Sequence, residues 1–189
     1  MARIPFPSPD DLSEETTTLL KRNGNLNVTR MMAHQPGLTK HYGRLGLEIL
    51  KFGVLDQVLR EAVILRVGIL CDSPYEKHQH VSVARAVGMK EEMLSAILEQ
   101  RHDKLDEKTR IALSVTDEIH ANNRATAETI AQAAKLFSHA ELVELCMVVG
   151  FYIMTAGYLN SLEVDIEDTP PLGETMRAGG KTVISRDPS

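Results

Sequence analysis

Glu76 and His80 stand four residues apart in Ser73-Pro74-Tyr75-Glu76-Lys77-His78-Gln79-His80, just inside a helix start. Side chains at i and i+4 share one helix face, so a carboxylate and an imidazole at this spacing can pass a proton between them. Glu61 lies upstream in a second helical pattern, Leu59 to Leu70, and antiparallel packing of the two helices would bring a second carboxylate to the pair. Two carboxylates and an imidazole are the equipment of general acid and base catalysis. Each residue also has an ordinary structural role open to it. Glu76 can close a capping box with Ser73, and His80 can be a core histidine donating to a carbonyl. Glu61 can be a solvated partner of Arg60 or Arg66, worth under about 1 kcal/mol.

The neighbouring residues carry weaker signals. His78 falls roughly 160° from the Glu76 face, which spoils a His-x-His metal pair, and no metal is expected. Tyr75 either offers its phenol to a substrate oxygen or simply packs. Arg85 or Arg66 would supply the cation for a substrate carboxylate. Cys71 and Cys146 form no Cys-x-x-Cys, so neither a disulfide framework nor a zinc site is indicated, and both read as small hydrophobes. Phe151, Tyr152, Met154 and Tyr158 wall a pocket or belong to the core, and Asn160 has no assigned role.

The elements that must position these residues are helices. Aromatic residues make up 4% of the 189-residue chain, with no Trp, so the core comes from Leu, Ile, Val, Ala and Met. No segment alternates as a strand does. Ser13 and Thr16 begin an irregular helical region with Leu19, Leu20, Leu26 and Val28, interrupted at Gly24. A helix is predicted from about Pro36 to Phe52 with the stripe Leu38, Tyr42, Leu45, Ile49 and Phe52, closed by Gly53. Asp56 starts the next, with Leu59, Val63, Ile64, Val67 and Leu70. Ser73, Pro74 and Glu76 supply an N-cap, a proline at the first helical position and an N3 glutamate, and Gly88 ends that helix. Further helices follow from Met89 to Gln100, from Asp106 to about Ala121 before Asn122-Asn123, from Thr126 toward Leu136, and from the capping box Ser138 to Glu141 as far as about Leu159. The chain divides into an N-terminal helical arm (1–35), a helical domain (36–163) and a tail (164–189). The tail, with Thr169-Pro170-Pro171 and Gly179-Gly180, is too poor in apolar groups to fold alone. It is either disordered or an arm on a neighbouring subunit.

Composition excludes other classes. A formal net charge of −5, a pI near 5.8 and scattered Lys and Arg leave no basic face for a nucleic acid. The N-terminus has no apolar run of signal-peptide type. The longest apolar stretch, Leu145 to Leu159, falls short of the roughly 20 residues of a membrane span, so no membrane partner is expected. A reducing cytoplasm fits the cysteine usage.

Three segments carry a family resemblance: Arg60-Glu61-Ala62-Val63-Ile64-Leu65-Arg66-Val67, Tyr75-Glu76-Lys77-His78-Gln79-His80-Val81 and Ala84-Arg85-Ala86-Val87-Gly88-Met89. They resemble the carboxymuconolactone decarboxylase family, which shares an all-helical fold with alkyl hydroperoxidase D. The resemblance extends from about Leu38 to Leu162, with Phe137-Ser138-His139-Ala140-Glu141-Leu142-Val143-Glu144-Leu145 similar to the family's later half. It implies an all-α, alkyl hydroperoxidase D-like domain assembled as a homo-oligomer, a trimer or a hexamer.

In the peroxidase branch the motif helix opens with Cys-x-x-Cys, followed four residues on by His, with a Glu upstream. Here Ser73 and Glu76 stand at the cysteine positions, His80 at the histidine and Glu61 at the upstream glutamate. Peroxide reduction by that route needs a thiolate and a resolving thiol. The retained residues match the decarboxylase branch instead. The expected function is a cofactor-free, decarboxylase-like lyase acting on a small carboxylated lactone or oxo acid. Glu61, Glu76 and His80 would be its catalytic residues, and Tyr75 and Arg85 would bind substrate. The rivals are a thiol peroxidase using Cys71 and a non-catalytic helical oligomer that binds a ligand.

Overall fold

Six serine, threonine and aspartate side chains set the helix starts. Ser13, Asp56, Ser73, Asp106, Thr126 and Ser138 each accept a bond from a backbone N–H of the first turn, meeting donors that a helix leaves without partners. The computed structural model describes residues 1–168 and 172–173. Among them the chain forms α1 (Glu14–Arg22), α2 (Asn27–Met32), α3 (Pro36–Leu47), α4 (Gln57–Leu70), α5 (Pro74–Ala86), α6 (Glu91–Leu98), α7 (Glu107–Asn122), α8 (Ala127–Ala133) and α9 (His139–Leu162), with no strand. The all-α expectation holds. Gly24, at φ +72°, separates α1 from α2, and Gly88, at φ +92°, follows α5, both in the left-handed region that glycine enters freely.

The helix predicted to reach Phe52 stops earlier. α3 ends at Leu47 and passes into a π-helical turn, Glu48–Phe52. Its predicted apolar stripe is also only partly covered. Ile49 is buried and Tyr42 half-buried, whereas Leu38 and Leu45 face outward.

α4 is the central helix. It packs against α5, α6, α7 and α9, and every residue from Leu59 to Gly68 is buried. Val63, Ile64 and Val67 meet Val115, Val148, Val149 and Phe151 on one side, and Ala62 and Leu65 meet Ala84, Leu94, Ile97 and Leu113 on the other. A helix so enclosed leaves Arg60 and Glu61 to find partners inside, while Arg66 reaches Asp117 and Gln100 nearer the surface. α4 and α5 are joined by Cys71–Ser73 and fold back on each other.

Length does not set α9 apart from a membrane span. Its 24 residues contain an 18-residue window of mean hydropathy 1.8, so by length and composition it could cross one. One face of it packs into the core, with Leu145, Val148, Val149 and Tyr152 buried, while Val143, Met147 and Met154 are exposed.

The described part of the tail lies on its own chain. Glu167 accepts bonds from Gln79 Nε2 (2.7 Å), the Tyr75 hydroxyl and the Asn27 amide. Asn27 Nδ2 in turn donates to the Asp165 carbonyl (3.0 Å), and Arg3 N donates to the Leu162 carbonyl (2.8 Å). Thr169-Pro170-Pro171 and Gly179-Gly180 lie outside the described residues.

Candidate active site

The expected trio does assemble. Glu61 Oε2 on α4 and His80 Nδ1 on α5 are 2.7 Å apart, which directs the Nδ1–H at the carboxylate and leaves Nε2 for the far side of the ring. There Glu76 Oε2 lies 3.5 Å away, one helical turn earlier on α5. Glu61, Glu76 and His80 are 0%, 4% and 6% exposed, so the three form a buried relay with the imidazole between two carboxyl groups.

Glu76 reaches His80 because it does not close the capping box predicted for α5. Ser73 Oγ accepts from the Glu76 amide at 3.5 Å, but the Ser73 amide is satisfied by the Gly68 carbonyl (2.9 Å), not by the Glu76 carboxyl. At α9 the same motif is complete, with Ser138 N donating to Glu141 (2.7 Å) and Glu141 N donating to Ser138 (3.2 Å). The α5 cap is thus made by the serine alone, and the glutamate is left for the relay.

Aromatic side chains wall the cluster. The Tyr152 ring meets His80 edge-on, with centroids 5.0 Å apart and planes at 89°. Tyr42 stacks on Phe151 at 4.8 Å and shares a 3.3 Å hydrogen bond with Thr155. Of the four late-helix residues weighed from sequence, Phe151 and Tyr152 are here. Met154 is exposed, and the Tyr158 hydroxyl donates to the Val28 carbonyl (3.0 Å).

Electrostatics separates the titrating groups. Burial pushes Glu76 up to about 7, against the pull of His80 and with a further push from Glu61. Burial alone would depress His80, but the charge and hydrogen bond of Glu61, and then the charge of Glu76, more than reverse this and leave it raised. Burial and the two carboxylates hold the Tyr152 phenol well above its ordinary range.

Arg60, known from sequence only as a neighbour of Glu61, also belongs to the cluster. It is 3% exposed, with Nε 3.5 Å from Glu61 Oε1 and Nη1 donating to the Ile49 carbonyl (3.3 Å). Its signal in the sequence was a charged residue on a pattern that turned out to have no solvent face. Asn160 also has a role: its Nδ2 donates to the Cys71 carbonyl (2.8 Å) and so pins the α4–α5 link.

Three predicted substrate contacts are bonded elsewhere than at the relay. Arg85 is exposed and pairs with Glu91 through two bonds, 2.8 and 3.1 Å. Five residues beyond His80 is about 140° round the helix, and that turns it to the surface. Arg66, the same step beyond Glu61, is held by Asp117 and Gln100. Tyr75 is buried, but its hydroxyl goes to Glu167 and receives the Val28 amide (3.2 Å). His78 is exposed, and Cys71 and Cys146 are half-buried free thiols. Burial raises both thiols, and Glu76 raises Cys71 further, which disfavours the thiolate a peroxidase needs.

Residues 36–118 match the model of the Carboxymuconolactone decarboxylase family. This segment is similar to that family. It contains Arg60, Glu61, Glu76 and His80, and it stops short of Phe137–Leu145, where the sequence also resembled the family. Among solved structures, an uncharacterized peroxidase-related protein from Silicibacter sp. TM1040 is similar at a TM-score of 0.79 and 15% identity, covering 88% of this chain and 92% of that one. An alkylhydroperoxidase AhpD core protein from Ralstonia eutropha JMP134 gives 0.77 and 15%, with 88% and 93% covered. The debrominase Bmp8 in complex with 2,3,4-tribromopyrrole gives 0.72 and 16%, with 93% and 96% covered. At these identities the likeness is one of fold, the alkyl hydroperoxidase D-like all-α architecture. No curated protein matches the chain.

Proposed function

We propose that this chain is a cofactor-free, decarboxylase-like lyase acting on a small carboxylated lactone or oxo acid. The observation that carries the reading is the buried Glu61–His80–Glu76 relay, with its 2.7 and 3.5 Å separations. Loss of carbon dioxide breaks a carbon–carbon bond and leaves the electron pair on carbon as a carbanion or dienolate. That species needs a nearby positive charge and then a proton. The His80 imidazolium supplies both through Nε2–H. Glu76, raised to about 7, is half-protonated near neutral pH and returns a proton to His80. Glu61 holds Nδ1 throughout.

The small-molecule site forms within residues 36–163, and no nucleic acid, membrane or metal enters the reading. The homo-oligomer implied by the family, a trimer or hexamer, and a cytoplasmic location belong to the same proposal; sedimentation equilibrium tests the former. The rival is a thiol peroxidase at Cys71, which the peroxidase-related descriptions of two similar structures keep in view. Its thiol is raised, and Ser73 and Glu76 stand where the family's paired thiols would be.

The test is carbon dioxide release from γ-carboxymuconolactone by the purified chain, with His80→Ala and Cys71→Ser beside it. Release that collapses in His80→Ala and persists in Cys71→Ser is expected. No release by the wild type would overturn this substrate, and peroxide reduction that is lost in Cys71→Ser would favour the peroxidase.

A further inference from the structure

A single imidazole stands between two buried carboxyl groups, and they are not equivalent. Glu61 has a second cation at hand: Arg60 Nε lies 3.5 Å from its Oε1. Among the described residues Glu76 has an ion pair with His80 alone. Neither Arg60 Nε nor Glu61 Oε1 makes a hydrogen bond, although both are buried. The guanidinium therefore acts on Glu61 through its charge, and that charge is permanent because arginine is not deprotonated in proteins.

Arg60 is also fixed in place. Its Nη1 meets the Ile49 carbonyl inside the π-helical turn, an irregularity often found at functional sites. Glu144 of α9 holds the chain beyond that turn by accepting from the Val54 and Leu55 amides.

We infer that Arg60 is a positioning residue that keeps Glu61 ionised, so that the mobile proton of the relay resides on the His80–Glu76 side. This rests on the proposed acid and base function only for the use made of that proton. The groups facing the relay are Arg60 and Glu61 from α4, Cys71 from the α4–α5 link, Glu76 and His80 from α5, Tyr42 from α3, and Tyr152 from α9, with Glu144 by the π turn. The phenols and the thiol are all raised, so they stay protonated where the carboxyl groups titrate. Without Arg60, Glu61 and Glu76 face the imidazole on more equal terms, and Glu61 competes for the proton.

Infrared spectroscopy of the protonated carboxyl stretch at pH 6 reads this without substrate, because exposed carboxyl groups are ionised there. The wild type should show a protonated-carboxyl band that is lost in Glu76→Gln. In the Arg60→Met/Glu76→Gln double variant a band should return, from Glu61, and in Arg60→Lys/Glu76→Gln it should stay absent because the charge is kept. A wild-type band that survives Glu76→Gln overturns the inference, as does a folded Arg60→Met/Glu76→Gln chain with no band. The first comparison leaves Arg60 unchanged, so it can overturn the inference even if Arg60→Met does not fold. A chain that shows these bands but releases no carbon dioxide would retain Arg60's role and lose the substrate class.

Discussion

A buried carboxyl group must be answered by a cation or take a proton, and the two glutamates of the relay follow different courses. Glu76 takes a proton. In the folded chain it holds that proton to about pH 7, against 4.5 as its ordinary value. Between those values the native state binds more protons than the unfolded state, so stability falls as pH rises and levels off above 7 as far as Glu76 is concerned. His80, raised from 6.5, adds a loss of the same sign as pH climbs through its folded value. Asp106, Glu118 and Glu141, all lowered, work the other way, losing their contribution as pH falls below the ordinary carboxyl range. Stability should therefore peak near about pH 5. Urea midpoints measured from pH 4 to 9 check this, and Glu76→Gln should remove roughly 3 kcal/mol of the decline between pH 5 and 8. In turnover the same variant should be slower by about 10²- to 10⁴-fold, the usual worth of a positioned proton donor, while an undiminished rate would remove Glu76 from the relay. Glu76, His80 and Glu61 were legible in the sequence because i, i+4 spacing on a capped helix is a local fact. Arg60 was not, because only the packing of α5, α6, α7 and α9 around α4 shows that its face has no solvent.

At the scale of elements, caps and links decide where the relay groups stand. Helix starts could be read from Ser73, Asp56, Asp106, Thr126 and Ser138, since each cap is made within three residues. The π turn after α3 could not, because it answers to Arg60 from the next helix and to Glu144 from α9. Gly53 follows that turn at φ −62°, so its need is for space and not for a special conformation. A Cβ there would sit 2.1 Å from Glu144 Oε1 and 2.8 Å from the Ile49 carbonyl. Gly53→Ala should cost about 1 to 3 kcal/mol, as overpacking does, read as a lower urea midpoint. Ser138→Ala should cost about 1 kcal/mol through its capping box, without altering the infrared bands of the relay.

Across the whole molecule, the first and last described segments meet. Arg3 donates to the Ser161 carbonyl (2.9 Å), and Asp165 accepts from the Ala2 amide (3.0 Å). Gln79, beside His80, donates to Glu167 at 2.7 Å and accepts from the Leu172 amide at 2.8 Å, so one buried amide ties down two points of the tail. Gln79→Ala should speed hydrogen exchange at the Leu172 and Asn27 amides while leaving α4 and α7 protected; unchanged exchange at both would show the tail is held elsewhere. This arrangement was illegible in the sequence because the contacts are polar and span some 90 residues or more, where neither periodicity nor a short motif reports them.

The short bond from His80 to Glu61 gives the molecule a built-in reporter. A proton held between a buried imidazole nitrogen and a carboxylate at 2.7 Å resonates far downfield of backbone amides and exchanges slowly with water. One-dimensional NMR in ordinary water should show it without isotopic labelling. Any small molecule that reaches the relay must disturb it, so the chain can be screened for its own ligand before a reaction is known.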